Sequence, residues 1–137
     1  FRRTTFYPCY GMAETTLIVS AGKKADPPVL TTVKQTALAQ NRVFPASIGE
    51  QDIQTLVSCG QPLQDLKLVI VSSETATRCS ANEVGEIWVK GPSVAAGYWN
   101  KIEQTQQTFG AYLKDTGEGP FLRTGDLGFL QTGQLVI

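Results

Sequence analysis

The sequence predicts a mainly β domain with minor helix, closed or curled as a barrel or sandwich. Three observations carry this expectation. Short β-branched or apolar runs recur between clusters of turn residues, at Val29–Val33, Ile53–Ser58, Leu66–Ser72 and Gly85–Lys90, then at Phe121–Arg123, Gly128–Leu130 and Gln134–Ile137. One stretch only, Lys101 to about Phe109, has clear helical character. Across 137 residues, 42% are hydrophobic and 18% charged, a globular composition at the length of one domain.

Each element follows from its residues. Ala21 to Pro28 is small, charged and proline-rich, hence loop. Val29–Val33 is a short strand, and Lys34–Gln40 suits a helical turn that Asn41-Arg42 and Pro45 stop. Ile53–Ser58 is a strand closed by Cys59-Gly60-Gln61-Pro62. Leu66–Ser72 is almost continuously apolar, which predicts a strand buried on both faces or at a sandwich core. Ser73–Glu83 is irregular. Gly85–Lys90 alternates and sends one apolar face into the core. Gly91-Pro92 breaks the chain before the aromatic turn Ala95–Trp99, where Trp88, Tyr98 and Trp99 are expected to be scaffold. Asn100 is the expected cap of the helix, with Glu103 three residues on as in a capping box. Gln131-Thr132-Gly133 links the last two strands as a hairpin.

Composition also excludes functions. Twelve basic residues balance twelve acidic ones, so no clustered positive charge favours nucleic acid or an anionic membrane. No apolar run reaches the length of a membrane span, and no secretory signal is visible. The chain has no histidine, which removes Ser-His and Cys-His nucleophilic schemes. Cys9, Cys59 and Cys79 lack zinc-ligand spacing and are expected as reduced, buried thiols in a cytoplasmic protein. The chain begins without methionine and stops within the apparent strand Leu135-Val136-Ile137, so it is expected to be a piece of something longer.

Two stretches carry candidate chemistry. In Tyr7-Pro8-Cys9-Tyr10-Gly11-Met12-Ala13-Glu14, Gly11 allows close backbone approach to a ligand. Glu14 offers oxygen ligands suited to magnesium shared with phosphates. The alternative is an ordinary loop with Glu14 solvated. In Leu122-Arg123-Thr124-Gly125-Asp126, the carboxylate is an acceptor for two hydroxyls, as in the diol of a ribose. Its alternative is an aspartate bonding its own turn backbone.

Together with Gly85–Trp99, in this order and spacing, these stretches resemble the adenylate-forming superfamily of acyl-CoA synthetases, peptide-synthetase adenylation domains and luciferases. The resemblance spans nearly the whole chain and implies a distorted β-barrel-like subdomain. It implies ATP-dependent carboxylate activation, with Tyr10 against the adenine and Gly11, Met12 and Ala13 along the nucleotide. Glu14 would be the catalytic group that holds Mg2+, and Asp126 would take the ribose hydroxyls. The family's usual threonine is replaced by Ala13, which removes a hydroxyl from the α-phosphate.

Tyr-Gly-Met-Ala-Glu followed by Val57-Ser58-Cys59-Gly60 is similar to the fatty acyl-AMP ligase branch. That branch implies a fatty acid substrate and an acyl carrier protein as acceptor, often in polyketide or lipopeptide assembly. It divides the chain into a nucleotide-site segment (1–22), an insertion-like segment (23–52) and a β-barrel subdomain (53–137). The branch's insertion, within Lys23 to Ser47, would disfavour coenzyme A. The rivals are a fragment of an acyl-CoA synthetase and a non-catalytic β-rich interaction module. The family's phosphate loop, hinge and catalytic lysine have no counterpart here; Lys23, Lys24 and Lys114 do not match that lysine, and the isolated chain is expected to be inactive.

Overall fold

The apolar runs pair as strands because alternate side chains find two separate cores, one on each side of a central sheet. The computed structural model describes residues 1–137. Its strands are β1 (Cys9–Met12), β2 (Leu17–Ala21), β3 (Leu30–Lys34), β4 (Ile53–Val57), β5 (Gln61–Pro62), β6 (Lys67–Val71), β7 (Gly85–Lys90), β8 (Leu122–Gln131) and β9 (Gln134–Val136). Two α-helices, α1 (Gln35–Leu38) and α2 (Ile102–Phe109), complete a mainly β architecture.

Strands β6-β7-β8-β9 form an antiparallel four-stranded sheet, and β1-β2-β5 form a second of three. Leu135 joins them: its carbonyl accepts from the Cys59 N–H at 2.8 Å, and its N–H donates to the Gly60 carbonyl at 2.8 Å. The result is a curled half-barrel. Inside the curl, Val19, Leu66, Ile70, Ile87, Val89 and Leu135 pack together, with Tyr10 against them. On the other face, Val69, Val71, Trp88 and Phe121 pack under Leu113. Burial on both faces was expected for the 66–72 run, and β6 feeds both cores. It was not expected for β7, yet that strand is buried from Gly85 through Val89.

Strands β3 and β4 form a separate ribbon. Val33 and Val43 from the 23–52 segment are buried against Phe129 and Val136, so this segment is anchored to the sheet. The two short runs expected at 121–123 and 128–130 are one strand, β8. Its register against β7 slips between Glu86 and Trp88, and Thr124-Gly125-Asp126 bulges out at that slip. At the β8–β9 hairpin, Thr132 and Gly133 both have positive φ, 48° and 77°, as a two-residue turn matched to strand twist requires.

Three expectations are corrected. Asn100 does not cap α2: its φ is 52°, outside the extended region a cap needs, and the helix starts after Lys101 with no side-chain cap. The capping box with Glu103 therefore does not form. Trp99 is 91% exposed and is no part of the scaffold, whereas Trp88 is buried. The free cysteines are not buried thiols: Cys9 is exposed on the edge strand β1, and Cys59 and Cys79 are half-buried.

The buried charge on β7 is paired. Glu86, 5% exposed, accepts from Arg123 Nε at 3.1 Å and Nη2 at 2.8 Å, and from the Gly125 N–H at 3.2 Å. Arg123 also lies over the Trp88 ring, 5.7 Å from its centroid. Burial alone would raise the Glu86 carboxyl, but hydrogen bonds and charge from Arg123 outweigh it and hold it below the ordinary 4.5. A depressed carboxyl contributes stability above its unfolded value and loses it as pH falls through the folded one.

Three outcomes follow. Glu86→Gln lowers the melting temperature at pH 7, and the gap from the parent narrows as pH falls below about 4.5, the ordinary carboxylate value; a pH-independent gap in thermal melts counts against the ion pair. Ile87→Ala, at a fully buried position, costs about 2–5 kcal/mol in urea denaturation. Ile102→Ala, at 75% exposure, stays within about 0.5 kcal/mol.

Candidate functional site

The opening motif is a tight hairpin. Strand β1 ends at Met12, residues Ala13–Thr15 make a 3₁₀ turn, and β2 starts at Leu17 after Thr16 takes a left-handed φ of 67°. Of the apolar run that follows, only Val19 is buried; Leu17 is 67% exposed. Gly11 sits at a bulge in this hairpin, and a β-carbon there would overlap the Leu17 carbonyl. The chain's own backbone fills the space where a β-carbon would stand. Glycine is needed here to close the turn that presents Glu14.

Neither neighbouring threonine replaces the hydroxyl missing at Ala13. Thr15 is buried and donates to the Met12 carbonyl at 3.0 Å, while Thr16 donates to the Ser93 carbonyl at 2.8 Å. Both hydroxyls are committed to holding the turn.

The curl of the sheet brings Tyr10 to Asp126. The Tyr10 hydroxyl donates to Asp126 Oδ2 at 2.6 Å, across 116 residues of sequence. Partial burial and this hydrogen bond both push the phenol well above its usual range, so it stays a neutral donor. The bulge presents Asp126 through a fixed framework. Thr124 Oγ1 donates to the Ile87 carbonyl at 2.8 Å and accepts from the Asp126 N–H at 3.1 Å. The exposed Asp126 side chain accepts no bond from its own turn backbone; its partner is Tyr10. That removes the self-contained turn as an account of this aspartate.

Glu14 sits elsewhere in the same region. It lines an open groove with Met12, Tyr98, Thr124 and Gly125. Its Oε1 accepts the Tyr98 hydroxyl at 2.8 Å, which holds that phenol above its ordinary value. The Glu14 carbonyl accepts the Ala95 N–H at 2.8 Å, so the loop before α2 grips the 13–16 turn by backbone as well. Glu14 is therefore half-buried and held, not a freely solvated loop charge. No group of three or more His, Cys, Asp or Glu side chains converges on it. A hard cation at Glu14 would take its remaining oxygen ligands from phosphates and water, the usual habit of magnesium.

Sequence reasoning names Tyr10, Glu14 and Asp126 as candidates but gives no supporting role to Tyr98, Glu86 or Thr124, which hold the candidate site in place. Glu86 fixes Gly125, Thr124 fixes Asp126, and Tyr98 fixes Glu14. Glu86 carried a signal: a charged residue inside an apolar strand needs a partner. Tyr98 carried none, because its partner is 84 residues away.

Comparison with known proteins bears on these residues. Residues 1–99 match the family of AMP-binding enzymes. The medium-chain-fatty-acid–acyl-carrier-protein ligase JamA of Moorena producens is 48% identical over 139 residues, covering 100% of this chain and 24% of JamA. FadD21 of Mycobacterium tuberculosis, named as a fatty-acid–CoA ligase, is 40% identical over 144 residues, with 100% and 24% covered. The fatty acyl-adenylate ligase of Legionella pneumophila, solved with acyl adenylate and pyrophosphate, superposes with a TM-score of 0.89 at 40% identity. That match covers 99% of this chain and 23% of the Legionella chain. The chain thus spans about a quarter of the length of the relatives it matches. No helix in it is long and apolar enough to cross a membrane. With residues 1–99 of its 137 matched to the family and its fold shared over 99% of its length, the chain belongs to the AMP-binding enzyme family.

Proposed function

We propose that this chain forms one wall of the ATP site of a fatty acyl-AMP ligase. The observation that carries the reading is the Tyr10–Asp126 hydrogen bond, which unites two motif residues 116 positions apart. In this reading the half-buried Tyr10 ring lies against the adenine. Asp126 keeps Oδ1 and the second lone pair of Oδ2 for the ribose hydroxyls. Gly11, Met12 and Ala13 form the edge along which the nucleotide runs. Glu14 holds magnesium, which supplies charge neutralisation at the phosphates.

The reaction is attack of the fatty acid carboxylate on the α-phosphate, loss of pyrophosphate and formation of an acyl-adenylate. The thiol of a phosphopantetheine arm then takes the acyl group and AMP leaves. JamA's name supports an acyl carrier protein as the owner of that thiol. The insertion within Lys23 to Ser47 acts to disfavour coenzyme A, and its anchoring through Val33 and Val43 supports an ordered role. A second reading, an acyl-CoA synthetase, is favoured by FadD21's name.

Asp126→Asn in the full-length enzyme raises the KM for ATP about 10- to 100-fold in pyrophosphate exchange, since hydrogen bonds to an ionised group contribute roughly 1.5–3 kcal/mol. An unchanged KM removes Asp126 from the ribose site. Offered ATP, a fatty acid and either acceptor, the full-length enzyme acylates holo acyl carrier protein in preference to coenzyme A. Efficient acyl-CoA formation, followed by mass spectrometry, overturns the ligase assignment in favour of the synthetase.

A further inference from the structure

We propose that Tyr98 is a positioning residue that aims Glu14 at the bound cation, and that helix α2 is the element that holds Tyr98. The proposal rests on the reading of Glu14 as a magnesium ligand. Its evidence is the company each group keeps. Three glutamates of the chain are not fully exposed: Glu14, Glu86 and Glu118. Glu86 pairs with Arg123, and Glu118 pairs with Lys67 and Arg78. Glu14 has no basic partner. It accepts one side-chain hydrogen bond, from the neutral phenol of Tyr98 to Oε1, and Oε2 accepts none from the protein. A shielded carboxylate fixed by one neutral donor and free of any ion pair presents one oriented oxygen, which is what a cation requires of it.

Tyr98 is itself held from three sides. Its ring meets the Phe109 ring edge-on, with centroids 5.2 Å apart and planes at 75°. Its N–H donates to Thr105 Oγ1 at 2.9 Å. Thr105 also packs directly over Gly97, where φ is 141° and a β-carbon would overlap the threonine methyl. Phe109 and Thr105 both belong to α2, so the helix grips the aromatic turn and the turn grips the carboxylate. Nothing about this arrangement serves the apolar cores, because Tyr98 belongs to none of the buried clusters.

Tyr98→Phe tests the assignment, since it removes one hydroxyl and keeps the ring against Phe109. The probe is Mn2+, titrated by electron paramagnetic resonance into the full-length enzyme with α,β-methylene-ATP bound. Glu14→Gln and thermal melts are run alongside. The expected result is a loss of Mn2+ affinity on the order of 10-fold in both variants, the usual effect of losing a group that orients a ligand. For Tyr98→Phe, metal-free nucleotide affinity and melting temperature are expected to stay at parent values. If Glu14→Gln weakens Mn2+ binding and Tyr98→Phe does not, the positioning role is overturned while the metal reading stands. If Glu14→Gln leaves Mn2+ affinity unchanged, the metal reading falls and takes the proposal with it. A Tyr98→Phe variant that melts early or loses metal-free nucleotide binding assigns Tyr98 a structural role only.

Discussion

The structure depends on a pair of backbone hydrogen bonds at Leu135. One runs from Cys59 and the other to Gly60, and together they carry a three-stranded sheet onto a four-stranded one. That join, together with the apolar cluster the two sheets share, carries β1 towards β8, where Tyr10 meets Asp126. With it, the sheet curls around Val19, Ile87, Val89 and Leu135, and its two distant rims face each other. Apolar burial drives the curl, but the backbone bonds set its register, because burial is not directional and hydrogen bonds are.

The polar groups near the rim follow the same logic at smaller scale. A carboxylate on the most buried strand is costly unless ionic and hydrogen-bonding partners surround it. Glu86 gains both: Arg123 supplies charge and the Gly125 N–H supplies a further donor. The Gly125 bond ties the bulge in β8 to the strand beside it, so the slip in register is fixed rather than loose. Asp126 projects from that fixed bulge. Stability and site geometry are thus coupled through one buried side chain.

The two carboxylates of the motifs are held in contrasting ways. Asp126 is exposed and shares its oxygen with a phenol from the opposite rim. Glu14 is half-buried and held by a phenol from a loop that α2 supports. Neither forms an ion pair with a lysine or arginine. Neutral donors orient both groups while leaving their charge available, which suits sites for a ribose and a cation.

Much of this was legible in the chain itself. Gly85–Lys90 appears with the bounds its alternation implied, α2 lies within the 101–109 stretch expected to be helical, and the Thr132-Gly133 turn is the hairpin its residues favour. Local periodicity and turn chemistry determine such features, because the deciding interactions lie within a few residues. The motif residues Tyr10, Glu14 and Asp126 were legible too, through their order and spacing. What the tertiary structure alone decided was every feature whose cause is a distant partner. The continuity of β8 through Asp126 depends on pairing with β7. Gly11 packs its backbone against that of Leu17, Asn100 turns left-handed instead of capping, and Trp99 stands in solvent while Tyr98 meets Glu14. A sequence specifies which groups are available, but the curl of the sheet determines which of them come within hydrogen-bonding distance.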